Sequence, residues 1–131
     1  MISAVPLDYQ NSRFLDVSQM SLCLDDFAGI ISQVDGIITV DTCTYHLADA
    51  FNIPTVVLFS TIDPDLRSKY YPKVKAIMYE SKDGKLFGKH KASREESQFA
   101  KEIEYLSKLW DKINVDELLK ELHSIKFDDC K

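Results

Sequence analysis

The sequence predicts a small α/β fold: a parallel sheet with flanking helices and a helical C-terminus. Two short runs, Ile37-Ile38-Thr39-Val40 and Thr55-Val56-Val57-Leu58-Phe59, are β-branched and apolar on both faces. Such runs suit strands buried in a parallel sheet better than half-exposed antiparallel ones. Between them, Leu47, Ala48, Ala50 and Phe51 recur at helical spacing. Strand, helix and strand in that order predict a parallel, right-handed βαβ unit. Helical spacing returns from Ser93 onward, at Phe99, Ile103, Leu106 and Trp110 and then at Val115, Leu118, Leu119 and Leu122.

The elements follow in chain order. The first dozen residues lack a period, and residues 13–18 alternate enough for a short strand. Phe27, Ile30, Ile31 and Val34 fall on one helical face, and Asp25 and Asp26 suit the positive end of that helix's dipole. Asp35-Gly36 is read as its stop, with glycine taking the left-handed conformation. The next helix spans residues 44–51, with Asn52 as its stop and Pro54 preventing continuation. Residues 74–79 supply one further strand, and residues 14–79 together form the βαβ core. Residues 80–94 are polar, with a basic cluster of Lys82, Lys85, Lys89, Lys91 and Arg94 that reads as a solvated loop. Residues 93–126 form the C-terminal helices, opened by a capping box from Ser93 to Glu96, with Asn114 capping the last.

Composition narrows the function classes. The chain has 131 residues, which fits one domain, and 45% hydrophobic and 28% charged residues are ordinary for a soluble protein. A net charge of −5 argues against a general nucleic-acid or anionic-membrane surface. No apolar run approaches the roughly 20 residues that span a bilayer. The first residues carry neither the basic nor the apolar region of a signal peptide. Cys23, Cys43 and Cys130 are odd in number and far apart, so neither a disulfide framework nor a metal site is expected, and a cytoplasmic setting is the simplest reading.

The turn between the first predicted strand and its helix holds the candidate chemistry. Ligands of open α/β sheets bind at the carboxyl ends of strands, and a helix start there presents free N–H groups and partial positive charge to phosphate. Thr42 and Thr44 add hydroxyl donors, and small residues at Thr42 and Cys43 let a diphosphate approach the backbone. Asp41 is positioned to accept from a neighbouring N–H and stiffen the turn, and His46 to reach a phosphate oxygen as a donor. Capping alone also accounts for Asp41 and Thr42, and a lone histidine on a short helix is more often packed or solvated than a ligand.

Asp41, Thr42, His46-Leu47-Ala48, Pro54 and Asp63-Pro64 stand at a spacing that resembles glycosyltransferase family 9, the ADP-heptose:lipopolysaccharide heptosyltransferases. The stretch is also similar to glycosyltransferase-like domains that follow tetratricopeptide repeats in some bacterial proteins. The likeness is strong over residues 14–72 and weaker beyond. It implies a Rossmann-like, partial GT-B C-terminal domain spanning residues 1–131, with Asp41, Thr42, Cys43, Thr44 and His46 gripping the diphosphate of an ADP- or UDP-linked sugar. No other cofactor and no metal are expected. Cys43 stands where heptosyltransferases usually have glycine, and its side chain narrows the space for phosphate.

The resemblance also implies inverting sugar transfer between two Rossmann-like domains, with the carboxylate base on the N-terminal one. No residue of this chain matches that base. Asp63 and Asp65 qualify by location only, and Asp63-Pro64 is more simply a turn. The expected function is therefore nucleotide-sugar binding without catalysis by this chain alone, in cytoplasmic bacterial polysaccharide assembly. The expected partners are a separate N-terminal domain or a second copy, with no nucleic acid and no membrane insertion. A non-catalytic phosphate-binding module and a protein-interaction module remain the alternatives. Tyr70 and Tyr71 either line an acceptor cleft or cover core.

Overall fold

A computed structural model describes residues 10–60, 62–78, 111 and 113–128. These fall into two compact units, divided between Val34 and Asp35. The first unit carries helix α1 (Leu24–Ser32), whose first turn holds Asp25 and Asp26. Asp26 Oδ2 accepts from the Leu22 N–H at 3.1 Å, tying the helix start to the chain that enters it.

The second unit is built on strands β1 (Ile37–Val40), β2 (Thr55–Phe59) and β3 (Val74–Met78), with helix α2 (Cys43–Ala50) between β1 and β2 and helix α3 (Val115–Asp128) at its end. The strands are parallel in the order β1-β2-β3, with Ile37 opposite Thr55 and Thr55 opposite Val74. β2 is central and wholly buried. Its alternate side chains serve the two faces of the sheet, as strand geometry requires. Val57 and Phe59 pack with Tyr45 of α2, joined by Tyr71, Val74, Ala76 and Met78. Val56 and Leu58 pack with Leu118 of α3, joined by Ile77, Ile113, Leu122 and Ile125. Among the described residues, α2 therefore packs on one face and α3 on the other. Buried Leu118 and partly buried Leu122 and Ile125 form the packed stripe of α3, whereas Val115 and Leu119 are exposed.

Local chemistry explains the boundaries. Thr42 caps α2, and the helix stops at Asn52, which takes a left-handed backbone (φ 59°) that asparagine tolerates better than most residues. Asn114 caps α3, its Oδ1 accepting from the N–H groups of Asp116 (3.1 Å) and Glu117 (3.4 Å). Asp63 Oδ1 accepts from the Asp65 N–H at 3.1 Å and caps a 3₁₀ turn, Pro64–Leu66, in the connection from β2 to β3.

Three expectations are corrected. Residues 13–18 form no strand; Asn11 Oδ1 captures the Arg13 N–H and Asp16 Oδ1 the Ser18 N–H, each at 2.9 Å. These local bonds offer the backbone an alternative to a ladder. Helix α1 ends at Ser32 with Gln33 as its cap, upstream of Gly36, which has no left-handed φ. Gly36 instead answers to space, since a Cβ there would lie 3.1 Å from Leu122 Cδ2. Finally, β1 is an edge strand within the described sheet, with Ile38 still 39% exposed. The predicted basic cluster of 82–94, the Ser93 capping box and the helix through Trp110 lie outside the described residues.

Candidate functional site

The candidate turn sits where β1 ends and α2 begins, at the carboxyl edge of the sheet. A helix start leaves its first N–H groups without acceptors inside the helix. At α2, Thr42 Oγ1 accepts from the Thr44 N–H at 3.4 Å. The same oxygen lies 3.1 Å from Thr44 Oγ1, 3.5 Å from Thr39 Oγ1 and 3.4 Å from the Val40 carbonyl. Three threonine hydroxyls are thus linked around the end of β1. The single Thr42 proton can go to Thr44 Oγ1 or to the Val40 carbonyl, the first being the shorter contact.

Asp41 does not accept from a neighbouring N–H as expected. Its Oδ1 accepts from the Tyr45 hydroxyl at 3.1 Å, one helical turn away. The Tyr45 ring is fully buried and meets Phe59 edge-on, with centroids 5.9 Å apart. A buried phenol needs a partner for its polar end, and Asp41 supplies one. Burial first, then the charge of Asp41 and its hydrogen bond, push the Tyr45 pKa up to about 12. Asp41 therefore fastens the turn to the core through a side chain.

His46 lies on the exposed side of the first turn of α2, against Tyr45 (ring centroids 4.0 Å apart). Its Nδ1 is 2.7 Å from the hydroxyl of Tyr71, and the two rings meet edge to face at 5.6 Å and 86°. Tyr71 is half-buried and packs on the Tyr45 cluster, so it covers core, whereas Tyr70 is 86% exposed. Cys43 opens α2 with an exposed thiol. Asp63 and Asp65 serve the 3₁₀ turn. Among the described residues, no group of three or more His, Cys, Asp or Glu side chains is arranged to hold a metal, and no helix is long and apolar enough to cross a membrane.

Asp41, Thr42, Cys43, Thr44 and His46 are contiguous with this turn. Two further residues, Thr39 and Tyr71, complete its hydrogen bonding. Thr39 carried a signal in the sequence, as the single polar side chain of an apolar strand. Tyr71 carried none toward this site, being 25 residues from His46.

The parallel sheet and its flanking helices define a partial Rossmann-like domain consistent with the GT-B type. The family model for glycosyltransferase family 9 (heptosyltransferase) matches residues 19–96, more than half of the chain. The chain belongs to this family. No curated protein and no solved structure matches it.

Proposed function

We propose that this chain supplies the nucleotide-sugar-binding part of a heptosyltransferase-like glycosyltransferase, holding the diphosphate of an ADP- or UDP-linked sugar at residues 41–46. The observation that carries the reading is the Thr42-capped start of α2 at the carboxyl end of β1, ringed by the hydroxyls of Thr39, Thr42 and Thr44. Backbone N–H groups, partial positive charge and hydroxyl donors are what a diphosphate requires. His46 adds a donor on the exposed side of the same turn. In this reading the site binds donor substrate without metal or further cofactor.

Transfer also needs a general base within hydrogen-bond reach of the acceptor hydroxyl. Asp41 is engaged by Tyr45 and Asp63 by its cap. In this reading the base comes from a separate glycosyltransferase domain and the chain does not transfer sugar alone, which the engagement of Asp41 and Asp63 supports. In this reading the chain works in the bacterial cytoplasm, in assembly of lipopolysaccharide, a setting that only the family resemblance supports.

Calorimetric titration with ADP and UDP tests the reading. One of the two is expected to bind, and Thr42→Val and His46→Ala each to weaken binding about 3- to 10-fold, the scale of one lost hydrogen bond. A folded chain silent to both nucleotides would show that the fold has outlived its ligand.

A further inference from the structure

We infer that Tyr71 is a positioning residue for the diphosphate site, holding His46 so that its Nε2–H faces outward as a donor; this rests on the reading just proposed. Imidazole has two ring nitrogens, and the partner of one decides what the other presents. Nδ1 of His46 is taken by the Tyr71 hydroxyl at 2.7 Å. When the ring is neutral, the contact fits either tautomer, and we assign the phenol, a better donor than acceptor, as the donor to Nδ1, with the proton on Nε2. Nδ1–H donating to the phenol oxygen is the alternative that NMR distinguishes. When the ring is charged, Nδ1–H donates to the phenol oxygen and Nε2 again carries a proton. With that assignment the nitrogen remote from Tyr71 is a donor in both charge states, as a phosphate oxygen demands.

Tyr71 is itself well held. Its N–H donates to the Ser68 carbonyl at 3.0 Å, its carbonyl accepts from the Val74 N–H at 3.2 Å, and its ring packs on the buried cluster of Tyr45, Val57 and Phe59. Ser68 is buried, and its hydroxyl donates to the Pro64 carbonyl at 3.1 Å. The connection from β2 to β3 thus carries a fixed hydroxyl to the first turn of α2. His46, exposed and on a helix of eight residues, has its ring direction set from outside its own element.

Tyr71→Phe keeps the ring and removes only the hydroxyl. ADP and UDP are titrated into the full chain as wild type, Tyr71→Phe, His46→Ala and the double variant. Tyr71→Phe is expected to weaken nucleotide binding about 3- to 10-fold beside His46 and to cost nothing further once His46 is alanine. Equal losses in both backgrounds, or no loss in either, overturn the inference while the diphosphate reading stands. Wild type that binds neither nucleotide overturns the reading, and the inference with it. Long-range ¹H–¹⁵N NMR of His46 in mildly alkaline buffer gives a second readout that packing alone does not move. The Nε2–H tautomer is expected in wild type, with Nδ1–H appearing in Tyr71→Phe; identical tautomers in the two proteins also overturn the inference.

Discussion

The hydroxyl of Tyr45 donates to Asp41 Oδ1 across 3.1 Å, and the ring that carries it is wholly buried between α2 and the sheet. The bond spans one turn of helix and joins the candidate site to the core. Its two ends are unequal. Asp41 keeps contact with solvent, whereas the hydroxyl has no water to turn to.

That asymmetry predicts unequal costs for removing either partner. Tyr45→Phe deletes the buried polar atom with the bond and is expected to cost about 1 kcal/mol. Asp41→Ala strands the hydroxyl and is expected to cost about 2–3 kcal/mol. Urea denaturation of both variants checks the order. A Tyr45→Phe chain less stable than Asp41→Ala would mean that the hydroxyl has a second partner.

The same burial fixes a pH response. The Tyr45 pKa is pushed from 10.0 up to about 12 in the folded chain. Between those values the unfolded chain gives up this proton and the folded one keeps it, so folding stability falls as pH rises. The contribution is fully present below pH 10 and is lost progressively toward 12, amounting to about 2–3 kcal/mol. Denaturation of wild type and Tyr45→Phe across that window isolates it from other tyrosines. The stability gap between the two proteins is expected to change by that amount, and parallel curves would refute the assignment.

Gly36 makes a steric prediction. A Cβ there would stand 3.1–3.3 Å from Cδ2, Cδ1 and Cγ of Leu122, a side chain already packed against the cluster under α3. Gly36→Ala is expected to destabilise by about 1–2 kcal/mol through overpacking. Leu122→Ala removes the obstacle, so the double variant should be more stable than the two single losses add up to. Strict additivity in denaturation would show that Leu122 yields freely.

The elements best legible in the sequence were those with one dominant constraint. β1, α2 and β2 follow from two unbroken apolar runs, and Asn52 and Pro54 give the helix between them a clear stop. Asn114 was legible because a cap is a local bond. Residues 13–18 alternate like a strand, but the Asx-type bonds of Asn11 and Asp16 close turns there instead. Local pattern points to backbone freedom at Gly36, yet the neighbour that matters, Leu122, lies 86 residues on, beyond any local pattern. The site divides the same way. Residues 41–46 were marked by a strand running into a helix, but the partners of Asp41 and His46 are tertiary contacts, and no period or spacing announces them.

Asn52 tests the stop of α2. At φ 59°, a residue with a Cβ pays a steric penalty that glycine escapes and asparagine partly offsets. Asn52→Gly is expected to be neutral within about 0.5 kcal/mol, and Asn52→Val to cost about 1–2 kcal/mol. Thermal melts of the pair check this. Equal melting temperatures would indicate that the backbone relaxes out of the left-handed region.

Cys43 tests the candidate site from the side of the ligand. Its exposed thiol opens α2 beside the three threonine hydroxyls, where the family resemblance expects glycine. If a diphosphate lies against the N–H groups of this turn, the side chain stands in its way, and removing it admits a closer approach. Cys43→Gly is therefore expected to tighten ADP or UDP binding several-fold, while costing under about 1 kcal/mol of stability for the helix end. Cys43→Leu should weaken binding by more, with little change in stability at an exposed position. Titration of the three proteins reads affinity, and melts read the fold separately. An affinity that ignores the size of this side chain would move the diphosphate away from the start of α2.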